Sequence, residues 1–533
     1  MYYDSKLWMA NDDNGNHLEM LPKMANRHGL IAGATGTGKT VTLKVMAESF
    51  SDMGVPVFMA DVKGDLAGTA FEGEDSDNMR KRIERFGLGG TGFSYHGYPC
   101  TFWDIYGEKG IPLRTTISEM GPLLLARILD LNDLQTDILS IIFRIADEND
   151  LLLVDIKDLK SMINYVNDHR KDYEADFGRI SPASVGAILR AVAALETQGG
   201  DRFFGQPALN ISDWITLSPE GKGMINILDS ESLINNGRLY STFLLWLMSK
   251  LFDVMPEVGD MAKPKMIFFF DEAHLLFDGA PKVLLDKIEQ VVKLIRSKGV
   301  GIYFVTQNPK DIPDGVLAQL GNKIQHALRA YTPADQKNVK AAAASFRVNP
   351  DLDTYSTLIS LGTGEAVVSF LDEKGIPEMV QKAYILPPMS RMSSITDYER
   401  ESCIKNSILY SRYSEAYDPE SAYEILQKQA DKAAEEAERL AEEAAAAKAE
   451  LEAQKAADKQ AAAAEKAAQK EAEKAAKARK QAVKNVASSA SGTVGRELGK
   501  ALGGKFGSFG KTLGGNLGAS LGRNILGTLF KTK

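Results

Sequence analysis

Cysteine is scarce in this sequence. Cys100 and Cys403 are the only two among 533 residues, and they do not form a CxxC pair. This scarcity argues against a disulfide framework and a thiolate zinc site, and it fits a reducing compartment. Long apolar runs are missing too, because no uninterrupted stretch reaches the roughly 18 residues of a membrane span. The first residues, MYYDSKLWMANDDNG, lack the basic start and apolar stretch of a secretory signal, so we expect a cytoplasmic protein.

The sequence has no excess of positive charge either. Its net charge is −8, and its 44% hydrophobic and 25% charged residues are ordinary for a soluble globular protein. A mildly acidic chain has no overall field that attracts nucleic acid, so any such binding has to be local. We find no basic stripe with interleaved aromatic residues that would identify a binding surface.

From about residue 28 to residue 390, short β-rich runs alternate with helical patterns. This alternation predicts an α/β fold in which a mostly parallel sheet carries helices on both faces. We interpret residues 1–27 as a lead-in, and the range from about 70 to 220 as a helical insert at one edge of the sheet. The predicted strands are Leu30–Ala32, Val55–Ala60, Met224–Leu228, Met266–Phe270, Gly301–Thr306, Ile324–Leu328 and Ala366–Leu371.

The composition changes after the core. Residues 391–418 are interpreted as a connector, and residues 419–485 consist almost wholly of Ala, Glu, Lys and Gln. These residues are strong helix formers with charged pairs four positions apart, so they predict one long helix. Because Leu440 and Leu451 are nearly the only large apolar residues there, an exposed rod and an alanine-lined coiled coil both remain open.

The last segment, residues 486–533, is a glycine-rich, basic and apolar tail. Glycines recur at every fourth position from 495 to 507 and from 510 to 522, with leucine and phenylalanine at the same spacing. Small residues four apart let helices approach closely, and basic apolar segments bind anionic bilayers. So much glycine also favours disorder in water. Three interpretations therefore remain open: a disordered tail, a self-association segment, and a contact with a membrane or a protein.

The stretch HGLIAGATGTGKTVTL contains a complete G-x-x-x-x-G-K-[ST] pattern between a predicted strand and a predicted helix. Glycines let such a loop wrap its backbone N–H groups around phosphate oxygens, and the following helix adds its positive end. Lys39 would reach the β- and γ-phosphates of ATP, and the Thr40 hydroxyl would bind Mg²⁺. The candidate nucleotide-binding residues are Gly33, Ala34, Thr35, Gly36, Thr37, Gly38, Lys39, Thr40 and Val41.

An acidic pair follows another predicted strand, in the stretch MIFFFDEAH. The entirely apolar run is typical of a strand buried on both faces. Asp271 would hold the magnesium ion, and Glu272 would act as the base that polarises the attacking water. Two adjacent acids can also begin a helix, since carboxylates favour that position. If both motifs grip one triphosphate, they lie at the ends of neighbouring strands.

The next strand, GVGIYFVTQNP, ends at Gln307, whose amide can donate to the γ-phosphate and accept from the attacking water. The same residues also fit a polar turn before a proline. Phosphoryl transfer needs further positive charge, often an arginine from a neighbouring subunit. Our first candidate is Arg329, with Arg296 and Arg347 behind it.

The motifs GATGTGKT, ADVKGDLAG, FFFDEAH, VTQNPKDIP and GNKIQHALRAYTPAD occur in this order, and together they resemble the HerA/FtsK superfamily of ring-forming motor ATPases. The resemblance covers residues from about 20 to 390 and is closest to the bacterial HerA-like proteins. It implies a RecA-like P-loop core, a hexameric ring with ATP between subunits, and translocation of DNA through the pore. Lys39, Thr40, Asp271, Glu272 and Gln307 fall on the family's phosphate, magnesium, base and sensor positions.

The sequence also departs from the family pattern. HerA carries an N-terminal β-barrel that docks a nuclease, but the 32 residues that precede the phosphate loop here are too few for such a barrel, so we do not expect nuclease coupling. Asp61 and Lys63 fall on the D-x-K-G stretch of the family, for which we expect support of the site or a path to the neighbouring subunit. Residues 271–274 spell DEAH, a tetrapeptide that also occurs in a class of RNA helicases. Those enzymes need a second RecA-like domain, which this sequence does not provide, so His274 is expected to pack beside the site.

Two functions follow as hypotheses. The first is an ATP-hydrolysing ring motor, a hexamer that uses ATP and Mg²⁺ and acts on double-stranded DNA. The second is a nucleotide-switched oligomeric scaffold, tethered to a membrane or a partner by its C-terminal helix and tail.

Overall fold

One sheet of thirteen strands runs through the computed structural model, which describes residues 1–233, 237–280 and 282–480. The strands, β1 to β13 in chain order, are Tyr2–Tyr3, Lys6–Asn11, His17–Met20, Gly29–Ala32, Val57–Asp61, Cys100–Asp104, Ile111–Pro112, Ile225–Asp229, Met266–Phe270, Val300–Thr306, Asn322–His326, Glu365–Ser369 and Gln381–Ile385. The strands predicted from the sequence correspond to β4, β5, β8, β9, β10, β11 and β12.

The helices cover both faces of this sheet. Named α1 to α17 in chain order, they are Lys39–Asp52, Asp77–Phe86, Ile117–Ile128, Asp133–Glu148, Ile156–Asp168, Arg170–Phe177, Pro182–Leu195, Asp201–Phe203, Gly237–Val254, His274–Phe277, Lys282–Ile295, Asp314–Leu317, Pro333–Ala344, Thr354–Ser360, Asp397–Asn406, Tyr410–Tyr413 and Ala422–Lys480. In the described ranges, each helix taken alone lacks the length or the apolar composition of a membrane span. One pair bent by 106°, Arg170–Phe177 with Pro182–Phe203, matches a broken span by length and composition alone.

The strand order across the sheet is β1-β2-β13-β12-β11-β4-β10-β9-β5-β8-β6-β7, with β3 paired to β2. All pairs from β11 to β7 in this order are parallel, whereas β12, β13 and the N-terminal strands pair antiparallel. Strand β9 illustrates the parallel part of the sheet. All five of its residues, MIFFF, are buried, as is expected of a parallel strand between two layers of helices. The predicted α/β fold with a mostly parallel sheet is confirmed.

Successive residues of the central strands feed two cores, one on each face. Phe268 and Phe270 point into the core beneath the insert helices, which includes Leu139 and Ile188. The alternating residues Ile267 and Phe269 enter the opposite core together with residues of α1. This alternation follows the two-residue period of a strand, and it holds α1 and the insert on opposite faces.

Residues 1–27 were predicted to be a lead-in to the core. The structure corrects this prediction, because they form strands β1, β2 and β3. Strand β2 is buried at five of its six residues and joins the sheet through Ile385, which faces Ala10. Its apolar run, Leu7–Ala10, is too short to stand out in the sequence. Its burial comes from tertiary contacts, since Leu7 and Trp8 share a core with Phe50 of α1.

The predicted insert is not wholly helical. Besides α2 to α8, it supplies β6 and β7, which extend the parallel sheet beyond β8. The connector likewise holds α15 and α16, and the first compact unit continues to Ala434. The long helix begins at Ala422, close to the expected residue 419, and is described to Lys480. The tail at 486–533 lies outside the described residues.

Candidate nucleotide-binding site

The phosphate loop joins β4 to α1 at the carboxyl-terminal edge of the parallel strands. Gly36 and Gly38 have positive φ angles of 77° and 115°, which side chains rarely tolerate. Gly33 is needed for a close approach, because a Cβ there would lie 2.5 Å from the Cβ of His326. Glycine is therefore required at positions 33, 36 and 38 by the backbone conformation or the close packing of this loop.

Lys39 begins α1 and is buried, with 8% of its surface exposed. Its ammonium donates hydrogen bonds to the carbonyl oxygens of Gly33, at 2.6 Å, and Ala34, at 3.1 Å. Burial, and then the positive charge of Lys63, lower the pKa of Lys39. An anion in this position would therefore relieve an unfavourable concentration of positive charge.

A cavity of about 240 Å³ opens beside the loop. Its lining combines the phosphate loop with the ends of the neighbouring strands: Gly36, Gly38, Lys39, Thr40, Val41, Leu43, Lys63, Leu66, Asp271, Val305 and Thr363. The structure thus brings Lys39, Thr40 and Asp271 to one cavity, although Asp271 is more than 230 residues away in sequence. Of the other predicted loop residues, Thr37 is buried, whereas Thr35 is exposed.

The strand order corrects one expectation about this edge. Strands β4 and β9 are not neighbours, because β10 pairs with both of them. Since all three are parallel, their carboxyl ends still meet at one edge of the sheet. The interposed β10 ends at Thr306, so Gln307 follows it at this edge, but it is not among the residues that line the cavity. Strand order of this kind depends on long-range pairing, which no local pattern specifies.

The two acids differ in their surroundings. Burial, and then the charge of Glu272, raise the pKa of Asp271 to about 6. Tyr240 donates a hydrogen bond of 2.9 Å to the Asp271 backbone carbonyl, and the Glu272 backbone N–H donates to the Asp271 side chain. These contacts fix the end of β9 and direct the Asp271 carboxylate to the cavity.

Glu272 has the strained conformation expected at a functional site. Its φ angle is +47°, a value that costs energy in a residue with a side chain. Its side chain is 8% exposed, and its Oε1 lies 3.6 Å from the Lys63 ammonium. Oε2 has no hydrogen-bond partner among the described residues, although His274 Nδ1 lies 3.4 Å away. A buried carboxylate with an unused oxygen has capacity to accept a proton or a water molecule.

Gln307 and the arginine candidates occupy more open positions. Gln307 is exposed, directly after β10, and Arg329 is exposed just beyond the end of β11. Both therefore lie at the edge that carries the phosphate loop. Arg296 lies before β10, and Arg347 donates to the Pro377 carbonyl near the far end of the β12–β13 pair. These two arginines are consequently at the opposite edge of this chain's sheet.

The sequence analysis did not single out His326, which packs against Gly33 of the phosphate loop. It is fully buried and joins three segments: Nδ1 lies 2.8 Å from the Glu365 carbonyl, and Nε2 lies 2.8 Å from the Thr42 hydroxyl. Because a carbonyl only accepts, Nδ1 carries the proton and Thr42 donates to Nε2. Burial lowers the pKa of His326 to about 4, which keeps the ring neutral. The strand IQHAL contains this histidine, but its partner on α1 is remote in sequence.

The donors at this edge suit Mg²⁺ bound to a phosphate chain. The Thr40 hydroxyl and the Asp271 carboxylate are hard oxygen ligands, which Mg²⁺ prefers. Among residues 1–233, 237–280 and 282–480, no group of three or more His, Cys, Asp or Glu side chains could hold a metal by itself. Mg²⁺ commonly takes one or two protein ligands and completes its shell with phosphate and water.

The chain matches one protein family over most of its length. The model of the family described as "Helicase HerA-like C-terminal" matches residues 6–512. The chain belongs to this HerA-like family. The P-loop and the acidic pair at the end of β9 therefore lie within the matched region, as does the whole parallel sheet.

Individual relatives are more distant. The chain is 32% identical over 161 residues to "Probable helicase MJECL08" of Methanocaldococcus jannaschii, which covers 30% of this chain and 28% of the relative. It is 22% identical over 348 residues to the DNA double-strand break repair helicase HerA of Saccharolobus solfataricus, covering 64% and 61%. The chain thus spans less than two thirds of the length of these curated relatives.

The comparison with solved structures gives distant matches. The plasmid coupling protein TrwB in complex with the ATP analogue ADPNP has a TM-score of 0.47 and 14% identity, covering 70% of this chain and 88% of that chain. VirB4 of Thermoanaerobacter pseudethanolicus has a TM-score of 0.45 and 15% identity, covering 72% and 96%.

Proposed function

We propose that this protein hydrolyses ATP with Mg²⁺ and acts as a ring-shaped motor on double-stranded DNA. One observation carries the proposal: Lys39, Thr40 and Asp271 line a single cavity, and Glu272 follows directly after Asp271. A phosphate loop alone would support nucleotide binding. The acidic pair at the same edge adds the metal ligand and the base that hydrolysis needs.

The proposed roles of the site residues follow from their positions around the cavity. The loop from Gly33 to Gly38 wraps the phosphates, Lys39 turns from the loop carbonyls to the β- and γ-oxygens, and Thr40 and Asp271 hold the metal. When bound, Mg²⁺ neutralises charge on the phosphates. Glu272 positions the attacking water and accepts its proton.

Gln307 and Arg329 complete the proposed site. Gln307, directly after β10, senses whether the γ-phosphate is present. Arg329 is exposed at the same edge, where it can enter the site of a neighbouring subunit in a hexameric ring. Without such a neighbour, the described chain places no arginine in the lining of its own cavity.

DNA as the substrate is supported by the family and by the names of its relatives, among them DNA double-strand break repair helicases. We expect duplex DNA to stimulate ATP hydrolysis several-fold at low salt. The stimulation is expected to fall as salt rises, because contacts with DNA phosphates release counterions. The measurement is steady-state phosphate release with and without duplex DNA over a series of salt concentrations.

The Lys39→Ala variant is the control for contaminating ATPases in this assay, and single-stranded DNA and RNA are the comparison polymers. An ATPase rate that no nucleic acid changes at any salt concentration would exclude the DNA motor while leaving ATP hydrolysis intact. Electron micrographs of the protein with ATP and duplex DNA would report the ring and the occupancy of its pore.

The nucleotide-switched scaffold is a second candidate, favoured by the long helix Ala422–Lys480, which precedes the basic tail and is exposed along most of its described middle part. In this proposal a cytoplasmic ATPase reaches an anionic membrane through residues 486–533. We expect the full chain to float with liposomes that contain anionic lipid, and a chain truncated after residue 485 to remain in the bottom fraction. Equal flotation of both chains, or of neither, would reject the tether. Neutral liposomes are the matched control.

A further inference from the structure

The D-x-K-G stretch after β5 forms a fixed loop beside the phosphate site. Asp61 is buried, and its Oδ2 accepts hydrogen bonds from the backbone N–H groups of Leu66, at 3.1 Å, and Ala67, at 3.2 Å. Gly64 has a φ angle of +73°, which permits the tight turn between them. Because this backbone is held at both ends, the position of Lys63 within the loop is well defined.

Lys63 lines the same cavity as Lys39 and Asp271. Strand β5 pairs with β9, so the loop after β5 lies next to the acidic pair. The Lys63 ammonium is 3.6 Å from Glu272 Oε1, and its side chain is 46% exposed. The cavity therefore has two lysines, one buried in the phosphate loop and one half-exposed opposite it.

The partner of Lys63 is the residue proposed as the base. A buried carboxylate is stabilised by a cation, and the Lys63 ammonium lies within salt-bridge distance of Glu272, while the His274 ring lies on the side of Oε2. The Lys63 ammonium lies beside Glu272 Oε1, where it competes with an attacking water for this oxygen. Glu272 is therefore fully open to the attacking water only when Lys63 moves away.

We propose that Lys63 exchanges partners: it holds Glu272 in the nucleotide-free protein and contacts the γ-phosphate when ATP is bound. This inference rests on the proposed function. A terminal phosphate offers more negative charge and more acceptor oxygens than a carboxylate, so it competes successfully for the ammonium. The flexible lysine stem, with its three donors, can reach either partner. The exchange releases Glu272 for the attacking water only when a γ-phosphate is present.

The exchange makes Lys63 a determinant of triphosphate over diphosphate binding. ADP has no γ-phosphate, so Lys63 keeps its contact with Glu272 and contributes little to ADP affinity. Without Lys63, the cation beside Glu272 is lost, and only Lys39 and Mg²⁺ remain to offset the charge of the γ-phosphate. Loss of this lysine therefore weakens the binding of the triphosphate selectively.

The test is calorimetric titration of the full chain with the ATP analogue ADPNP and with ADP, both with Mg²⁺. We expect Lys63→Ala to lower the affinity for ADPNP by about tenfold or more, the scale of a charge-assisted hydrogen bond. The affinity for ADP is expected to stay close to that of the unmodified protein. Lys63→Arg keeps the charge and is expected to retain most of the ADPNP affinity. Thermal unfolding verifies that each variant is folded.

Lys6→Ala is the matched control, since Lys6 is also 46% exposed and paired with a glutamate, but it lies on β2 outside the cavity. It is expected to bind both nucleotides as the unmodified protein does. An equal loss of ADPNP and ADP affinity in Lys63→Ala, or no loss of either, would overturn the exchange while the ATPase proposal stands. If the unmodified protein binds neither nucleotide, the proposed function itself is wrong.

Discussion

Replacement of Lys39 by alanine is expected to lower ATP turnover by at least about 100-fold, the usual scale for loss of one group that stabilises developing charge. The ammonium lies at the mouth of the phosphate loop, within 2.6 Å of the Gly33 carbonyl, and it lines the cavity. Alanine removes both the charge and the reach to the γ-phosphate. Binding of ATP is also expected to weaken, by roughly tenfold or more, because a charge-assisted hydrogen bond is lost.

Phosphate release at saturating ATP measures the turnover, and calorimetry measures the binding. Lys6→Ala again serves as the control, because it removes a paired surface lysine outside the cavity. Since Lys39 is buried, a melting curve is needed to show that the variant keeps its fold. A Lys39→Ala protein that is folded and retains more than half of the turnover would contradict the assignment of the phosphate loop.

The central sheet was predictable because its strands carry their own signal. The run MIFFF is apolar at every position, and β4, β5, β8 and β10 are similarly buried along their whole length. A strand buried on both faces needs no alternating pattern, so its apolar run and the flanking turns are enough to locate it. The parallel arrangement followed from the helical patterns between these runs.

The edges of the sheet were not predictable in the same way. Strand β6, CTFWD, lies inside a range dominated by helical patterns, and β13, QKAYI, alternates only weakly. Each becomes a strand because a neighbour offers free backbone groups: β6 pairs with β8, and β13 pairs with β12. Such pairing is a tertiary effect, which overrides local preference.

In the candidate site, too, some features have a local sequence signal and others depend on tertiary contacts. The phosphate loop and the acidic pair are local motifs, so their residues could be named from the sequence. The contacts that organise them are remote: His326 with Thr42, and Lys63 with Glu272. The D-x-K-G stretch was noticed, but the partner of its lysine depends on the pairing of β5 with β9. Spacing along the chain carries no information about that pairing.

Two buried ionisable side chains connect the helix of the phosphate loop to residues 389–391, where the core ends and the connector begins. Glu48 of α1 accepts hydrogen bonds from the backbone N–H groups of Met389, at 2.9 Å, and Ser390, at 3.1 Å. Lys44, one helical turn earlier, donates to the Arg391 carbonyl at 2.6 Å. The helix that begins at the phosphates is therefore fastened at its middle to the segment that leads into α15.

Replacement of Glu272 by glutamine is expected to separate binding from hydrolysis. The amide keeps the shape of the side chain but cannot accept a proton from water, so turnover is expected to fall by about 100-fold or more, as for the loss of a general base. ATP is expected to bind at least as tightly as before, because the change removes a negative charge from the cavity edge. It also releases Lys63, which lies 3.6 Å from the carboxylate, to contact the γ-phosphate.

The decisive measurement is the identity of the nucleotide that remains bound after incubation with ATP and rapid gel filtration. The Glu272→Gln protein is expected to retain ATP, whereas the unmodified protein retains ADP or nothing. Glu119→Gln is the control, because Glu119, on the insert, pairs with Lys250 of α9 and does not line the cavity. The Glu272→Gln change leaves Asp271, the proposed metal ligand, in place. Bound ADP in the Glu272→Gln protein would therefore mean that another residue is the base.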